Sequence, residues 1–298
     1  MFLHDEKQAR VQSILTDTGL DFEIFKKPMT TMFNDKVIDT PYFALINGST
    51  NEVINSVKKG YTISQNREIV ELVVEGMSKF GSKLSVSKGG SLDGGKKVFL
   101  QLAIEGDSRV GNDTIKRYVT IIDSNDGSSS LSIGIGDLTM SCSNQFFKFY
   151  KAGQSRFRHT ATIDQRMKEI PMLIEMALSQ SLKMIETYQA FVSTPCSREL
   201  AHQLVNRLLG FDKATMTHKE YSELSSRNEN AMNCLYNNIE HEMNDKGNNI
   251  WGLHSGVTRW TTHDKSAPTR LNGRVEGIML GTNYRVNQAS LEFALEQL

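Results

Sequence analysis

Between Ser141 and Ile163 the sequence SCSNQFFKFYKAGQSRFRHTATI contains no acid, while Lys148, Lys151, Arg156 and Arg158 alternate with Phe146, Phe147, Phe149, Tyr150 and Phe157. The chain as a whole balances 34 basic against 34 acidic residues, so these four unopposed charges stand out locally. Cations interleaved with aromatic rings suit single-stranded nucleic acid, because the charges track phosphates and the rings offer bases a π-face. The alternative is a helix whose aromatics are core and whose lysines are solvated. Helical neighbours point about 100° apart, so one of Phe146 and Phe147 is then expected to face the core. Lys79, Lys83, Lys88, Lys96, Lys97, Lys116 and Arg117 are candidates to extend the same basic surface. By contrast, residues 211–245 hold three basic and seven acidic residues, so charge is segregated along the chain.

Other apparent motifs fail on spacing. Gly90-Ser-Leu-Asp-Gly-Gly-Lys96-Lys97 imitates a phosphate-binding loop, but Lys97 stands where a metal-binding hydroxyl is needed and VFLQLAIEG reads as a strand, not a helix. A hairpin turn is expected there. Asp123-Ser-Asn-Asp-Gly127 resembles a calcium loop without the glutamate at the twelfth position, and reads as a turn. The seven histidines form no metal-binding pattern, and the three cysteines (Cys142, Cys196, Cys234) form no CxxC pair. Cys142 reads as a small buried residue at a strand end. No cofactor, metal or catalytic residue is expected.

In LSIGIG, residues 131–136, strand alternation puts Leu131, Ile133 and Ile135 on one face and Ser132, Gly134 and Gly136 on the other. Glycine weakens a strand, so a bare face signals the close approach of another backbone: a helix of the same chain, a neighbouring subunit or nucleic acid.

The elements that must position these residues follow from periodicity. Asp5–Thr18 reads as an amphipathic helix, and FEIF, YFALIN and VINSVKKGYTIS as strands separated by Pro28, Pro41 and the turn NGSTN. Asn66 is placed to cap a helix running to Phe80. KLSVS, KKVFLQLAIEG, TIKRYVTIID and LSIGIGDLTM, joined by short turn-rich links, read as an antiparallel meander. Ile163–Val192 keeps an apolar helical stripe with Pro171 inside, which should kink it or split off its first turn. Thr194-Pro195, the box Thr217-x-x-Glu220 and Gly247 mark the ends of further helices. The fold class is α+β: a β-β-β meander followed by a long helix, with a helical C-terminal part. The expected layout is an N-terminal α+β layer over 1–80, the meander and long helix over 81–192, and a mainly helical region over 193–298 packed on the same core. With 39% hydrophobic residues and no apolar stretch of about 18, the chain is expected to fold as a cytoplasmic protein without membrane contact.

The segments GYTISQNREI, GGSLDGGKKVFLQLAI, YVTIIDSNDGSSSLSIGIGDLTMSCSNQF, RFRHT and NNIWGLHSGVTRWTTHD together resemble the phage and plasmid family known as domain of unknown function 932. Thr139 departs from the arginine common in that family three residues before the cysteine, so no role for that arginine transfers. The resemblance implies an origin in a virus or mobile element. The order of meander and long helix also resembles, at the level of topology, the Redβ and RecT single-strand annealing proteins. That likeness implies a homo-oligomeric ring or filament that holds single-stranded DNA and pairs it with its complement without ATP. A second reading is a phage factor that binds and inhibits a host protein, with the aromatic run as its interface, and a host or phage replication protein is a further candidate partner.

Overall fold

The computed structural model describes residues 2–141, 144–149, 156–211, 224–265 and 273–298, without the side chains of residues 2–4, Phe149 and Arg156. Two compact units interleave along the chain. The first comprises Met1–Glu105, Tyr118–Ile135 and Phe149–Gln180, and the second Gly106–Arg117, Gly136–Lys148 and Ser181–Leu298. Neither unit is bounded at residue 80 or 192.

The first unit opens with helix α1 (Phe2–Thr18) and an antiparallel three-stranded sheet in the order β1 (Ile24–Phe33), β2 (Lys36–Asn47), β3 (Val53–Lys58). Asn34 and Asp35, at φ 48° and 57°, form the two-residue turn between β1 and β2, since their short polar side chains tolerate the left-handed region. Pro28 and Pro41, expected to separate strands, lie within them. Both are tolerated there: β1 is an edge strand, and Pro41 precedes Tyr42, the first residue of β2 paired to β3. Ile24, Leu45, Ile54 and Val57 form the core of this layer. Helix α2 (Asn66–Ser78) buries Ile69, Val70, Val73, Val74 and Met77 at helical spacing. Its N-cap is Gln65, whose N–H donates to Glu68, while the expected cap Asn66 is buried and donates its amide to the carbonyls of Leu20 and Phe22.

The meander comprises β4 (Leu84–Leu92), β5 (Lys97–Ile104), β7 (Asp113–Ser124) and β8 (Leu131–Thr139). A short β6 (Ser108–Val110) pairs with β7, β9 (Gln145–Phe149) pairs with β8, and β10 (Arg156–Phe157) closes the order β10-β8-β7-β5-β4. The phosphate-loop imitation is a tight turn over Asp93–Gly95, all at positive φ, leading into a strand. Helix α3 (Ile163–Met167) is split from α4 (Ile170–Ser193), with Pro171 in the first turn of α4.

No helix follows β8 directly. Gln145–Phe149 is a strand, and Phe146 and Phe147, pointing to opposite faces of it, are 4% and 5% exposed. Both are core, where a helix would have spared one. Cys142, expected at the end of β8, lies outside the described residues.

The second unit is mainly helical: α5 (Arg198–Leu209), α6 (Ser226–Lys246), α7 (Ile250–Arg259), α8 (Gly273–Met279) and α9 (Thr282–Leu295). Ser197, not Thr194, caps α5, because Pro195 is engaged in a backbone bridge with Asn249 outside the helix. Gly247 ends α6 at φ 97°. At Gly256 an added Cβ would lie 2.4 Å from the Ile239 Cα, so α6 and α7 meet backbone to backbone. Thr217 and Glu220 lie outside the described residues.

Candidate functional site

The predicted cations separate into four groups. Lys96, Lys116 and Arg158 are exposed. Lys97 and Arg117 are buried and cannot serve a phosphate from where they stand. Lys97 is 3.5 Å from Asp126, while Arg117 donates to Ser181 over 3.4 Å. Burial lowers the Arg117 pKa against the charge of Asp137. Lys148 is half-buried, and desolvation lowers its pKa against the charge of Glu292. Lys151 lies outside the described residues, and of Arg156 only the backbone is described. Phe146 and Phe147, being core, present no ring face to a base. Gly134 and Gly136 are buried too, so atoms of this chain already cover the face predicted to be bare.

The surviving cations of the first unit do not share one surface. Arg158 follows β10 at one edge of the sheet, while Lys83, Lys88 and Lys96 accompany β4 at the other, about 19 Å away at four strand spacings. The β4 edge is the richer one. Lys79, Lys83, Lys88 and Lys96 are all exposed and make no ion pair among the described residues, and no acid occurs from Ser78 through Leu92. Gln101 pairs with Lys88 and Thr120, Phe99 with Gly90 and Ile122, and Ala103 with Tyr118. Directly paired residues share a face, so Lys88, Phe99, Gln101 and Tyr118 stand on one side of the sheet. Phe99, Gln101 and Tyr118 are half-buried there. Gly90 contributes to the opening, since an added Cβ would sit 3.6 Å from the Phe99 ring. Lys88 and the half-buried Phe99 thus share the β4–β5 side of this face, while Thr120 and Ile122 of the same face on β7 are fully buried.

The sequence segments that look most distinctive go into buried polar clusters. In the first unit, His159 Nε2 lies 2.9 Å from Asp123 Oδ1 and its Nδ1 3.2 Å from the Thr62 carbonyl. Both acceptors call for ring N–H groups, which describes an imidazolium. Burial opposes that charge, but the hydrogen bond and charge of Asp123, the Thr62 carbonyl and Asp126 raise its pKa overall. Ser64 donates to the other Asp123 oxygen at 2.5 Å, and Tyr61 stacks on His159 with ring centroids 4.7 Å apart. Ser64, His159 and Asp123 are the residue types of an acyl-transfer triad, but the Ser64 hydroxyl donates to Asp123 while standing 3.5 Å from His159 Nδ1, and the raised pKa favours the protonated ring. The cluster ties Tyr61–Ser64 and His159 to the end of β7.

In the second unit the Asp113 carboxylate accepts from Trp251 Nε1 at 2.7 Å, Ser141 Oγ at 2.7 Å and Lys246 Nζ at 2.8 Å. The Lys246 side chain is itself buried and also reaches Glu242 at 3.3 Å. Tyr188 donates to Asp137 at 3.1 Å and packs against the Trp251 ring. Burial pushes the Asp137 carboxyl up to about 7, against the Tyr188 hydrogen bond and the Arg117 charge. His254 faces the Ser290 hydroxyl at 2.9 Å, and burial brings its pKa down to about 4. Sequence reasoning missed Asp113, Asp137 and Lys246. Their signal was only that Asp137 and Trp251 fall inside distinctive segments.

Among the described residues no group of three or more His, Cys, Asp or Glu side chains is placed to hold a metal ion, and no helix is long and apolar enough to cross a membrane. A cleft of about 460 Å³ opens in the second unit beside Cys196, Arg198, His202, Tyr236 and Glu240. Burial raises the Cys196 thiol to about 11, which keeps it protonated and a poor nucleophile.

Comparison with known families adds one finding: the model of the domain of unknown function DUF932 matches residues 53–289. The chain belongs to the DUF932 family. No curated protein and no solved structure matches it. The DUF932 match runs from β3 into α9, and takes in the Asp123–His159 cluster, the Asp113–Lys246–Trp251 cluster and the Lys88–Phe99 face. Helix α1 and the β1–β2 hairpin precede it.

Proposed function

We propose that this DUF932 protein binds single-stranded DNA on the sheet face beside β4 and, as a homo-oligomer, promotes annealing of complementary strands during recombination of phage or other mobile DNA. The observation that carries the reading is Lys88 standing on the same sheet face as the half-buried Phe99, flanked along the edge by Lys83 and Lys96. Lysines there hold phosphates as point charges, and a ring accepts a base of any identity. Lysine on an edge strand also blocks unwanted sheet pairing, and that role alone requires no ligand. Binding separates the two.

Fluorescence anisotropy with a labelled single strand and the corresponding duplex is the test. Tight binding of the single strand is expected at about 50 mM salt, with a slope of log K against log salt near −2 if three lysines each neutralise one phosphate at about −0.7. Duplex is expected to bind more weakly, because its bases are not available to stack. A complementary-strand assay by energy transfer should show faster pairing without ATP. Absence of single-strand binding at that salt removes the reading, and binding without accelerated pairing removes its annealing half.

A further inference from the structure

We infer that the cleft between α5 and α6 in the second unit is a binding site for a ribonucleoside 5′-monophosphate. This inference does not rest on single-strand binding. The cleft has a volume of about 460 Å³, within the range of about 300–1,000 Å³ for small-ligand sites and well beyond what one ion fills. One stripe of each helix lines it. Arg198, Ala201 and His202 stand at i, i+3 and i+4 on α5, and Tyr236, Ile239 and Glu240 at the same spacing on α6. Ala201 and Ile239 are buried and give the cleft an apolar floor. The Tyr236 ring stands edge-on to the His202 ring, with centroids 4.9 Å apart, and supplies an aromatic wall. Arg198, Glu240 and Asn244 line the cleft and are exposed, and none of the three uses its side chain in a hydrogen bond or ion pair among the described residues. Single exposed charges are ordinary, whereas uncommitted groups of both signs converging on one part-apolar cleft are what a ligand site requires.

Each group answers one part of a nucleotide. Arg198 and His202 lie one helical turn apart on the same face of α5, so both can reach one phosphate. The Tyr236 hydroxyl meets His202 Nδ1. With the phenol donating, the ring proton sits on Nε2 and makes that atom a donor to the ligand. Glu199, next to Arg198, is turned about 100° round the helix and does not line the cleft. Across the cleft, the Glu240 carboxylate is suited to accept from both hydroxyls of a ribose. The Tyr236 ring and the floor suit the face of a base, and the Asn244 carboxamide, donor and acceptor together, suits its edge. Inorganic phosphate would leave the floor and Glu240 unused, and a dicarboxylate would set a second negative group against Glu240.

Isothermal titration calorimetry of the full chain with the four common ribonucleoside 5′-monophosphates tests the site. At least one is expected to bind with a Kd below about 1 mM. Its nucleoside, without the phosphate, and its 2′-deoxy form should each bind about 10-fold more weakly. Arg198→Ala should reduce the monophosphate to the affinity of its nucleoside while changing the nucleoside by less than about twofold. Glu240→Ala should erase the preference for ribose over deoxyribose. Both positions are exposed, so an unchanged melting temperature is expected. Failure of all four to bind at about 1 mM, or variants that alter every probe alike, overturns the inference. So does an Arg198→Ala variant that loses single-strand DNA affinity as strongly as monophosphate affinity, which would make the cleft part of a polynucleotide path.

Discussion

Replacing Lys246 by Met is expected to cost about 3–5 kcal/mol of folding stability at neutral pH, the range for removing one partner from a buried ionic cluster. The Lys246 ammonium lies 2.8 Å from Asp113 and 3.3 Å from Glu242, and all three side chains are buried. Without the cation two carboxylates face each other in a poorly solvated site, and Arg259, at 3.4 Å from Glu242, balances only one of them. The methionine matches the apolar stem, so packing is little changed. Urea unfolding at neutral pH measures this. A loss below about 1 kcal/mol would mean that the cluster is wetter than its geometry indicates.

Asp137 should make stability fall as pH rises from about 4 to 7, opposed below about 6.5 by His254, whose lowered pKa makes folding release a proton there. An unfolded aspartate loses its proton near 3.9, while burial holds the folded carboxyl protonated to about 7. Folding takes up a proton in this window, so the contribution of Asp137 is complete below about 3.9 and is lost as pH climbs through its folded value. The slope is at most about 1.4 kcal/mol per pH unit, or about 4 kcal/mol in all. His159, also raised, extends the decline beyond the ordinary imidazole range near 6.5. Asp126 is lowered, so its contribution is lost only as pH falls below the window. Asp137→Asn should remove the falling component, so that stability relative to the parent rises with pH across this window, since an amide is neutral at every pH and can still meet Tyr188. A variant with the parent slope would assign the dependence elsewhere.

What the sequence disclosed follows physical range. The meander was legible because Val98, Leu100 and Leu102 alternate on β5 and because the links are rich in turn residues; the break before α4 was legible from Pro171. Local signals of this kind act within a few residues. The ionic and hydrogen-bonded clusters are not local: Asp113 and Trp251 are 138 positions apart, and Asp123 and His159 are 36 apart. No periodicity marks such partners. The aromatic run misled for a related reason, since a strand buried on both faces is continuous in apolar residues and loses the alternation that would identify it. Lys96 and Lys97 show the same limit at one step's distance: the first is exposed and the second is buried beside Asp126. Composition counts both alike.

The most direct measurement of the proposed function is the salt dependence of single-strand binding for the variant Lys83→Ala/Lys88→Ala/Lys96→Ala, set beside Arg158→Ala. The three lysines line the β4 edge and Arg158 the opposite one. With a folded protein of unchanged melting temperature, the triple variant should lose about 2 from the slope of log K against log salt, at about 0.7 per phosphate, while Arg158→Ala should leave it nearly intact. An unchanged slope in the triple variant, or a larger change from Arg158 than from the three lysines, would contradict the placement of the nucleic acid on this face.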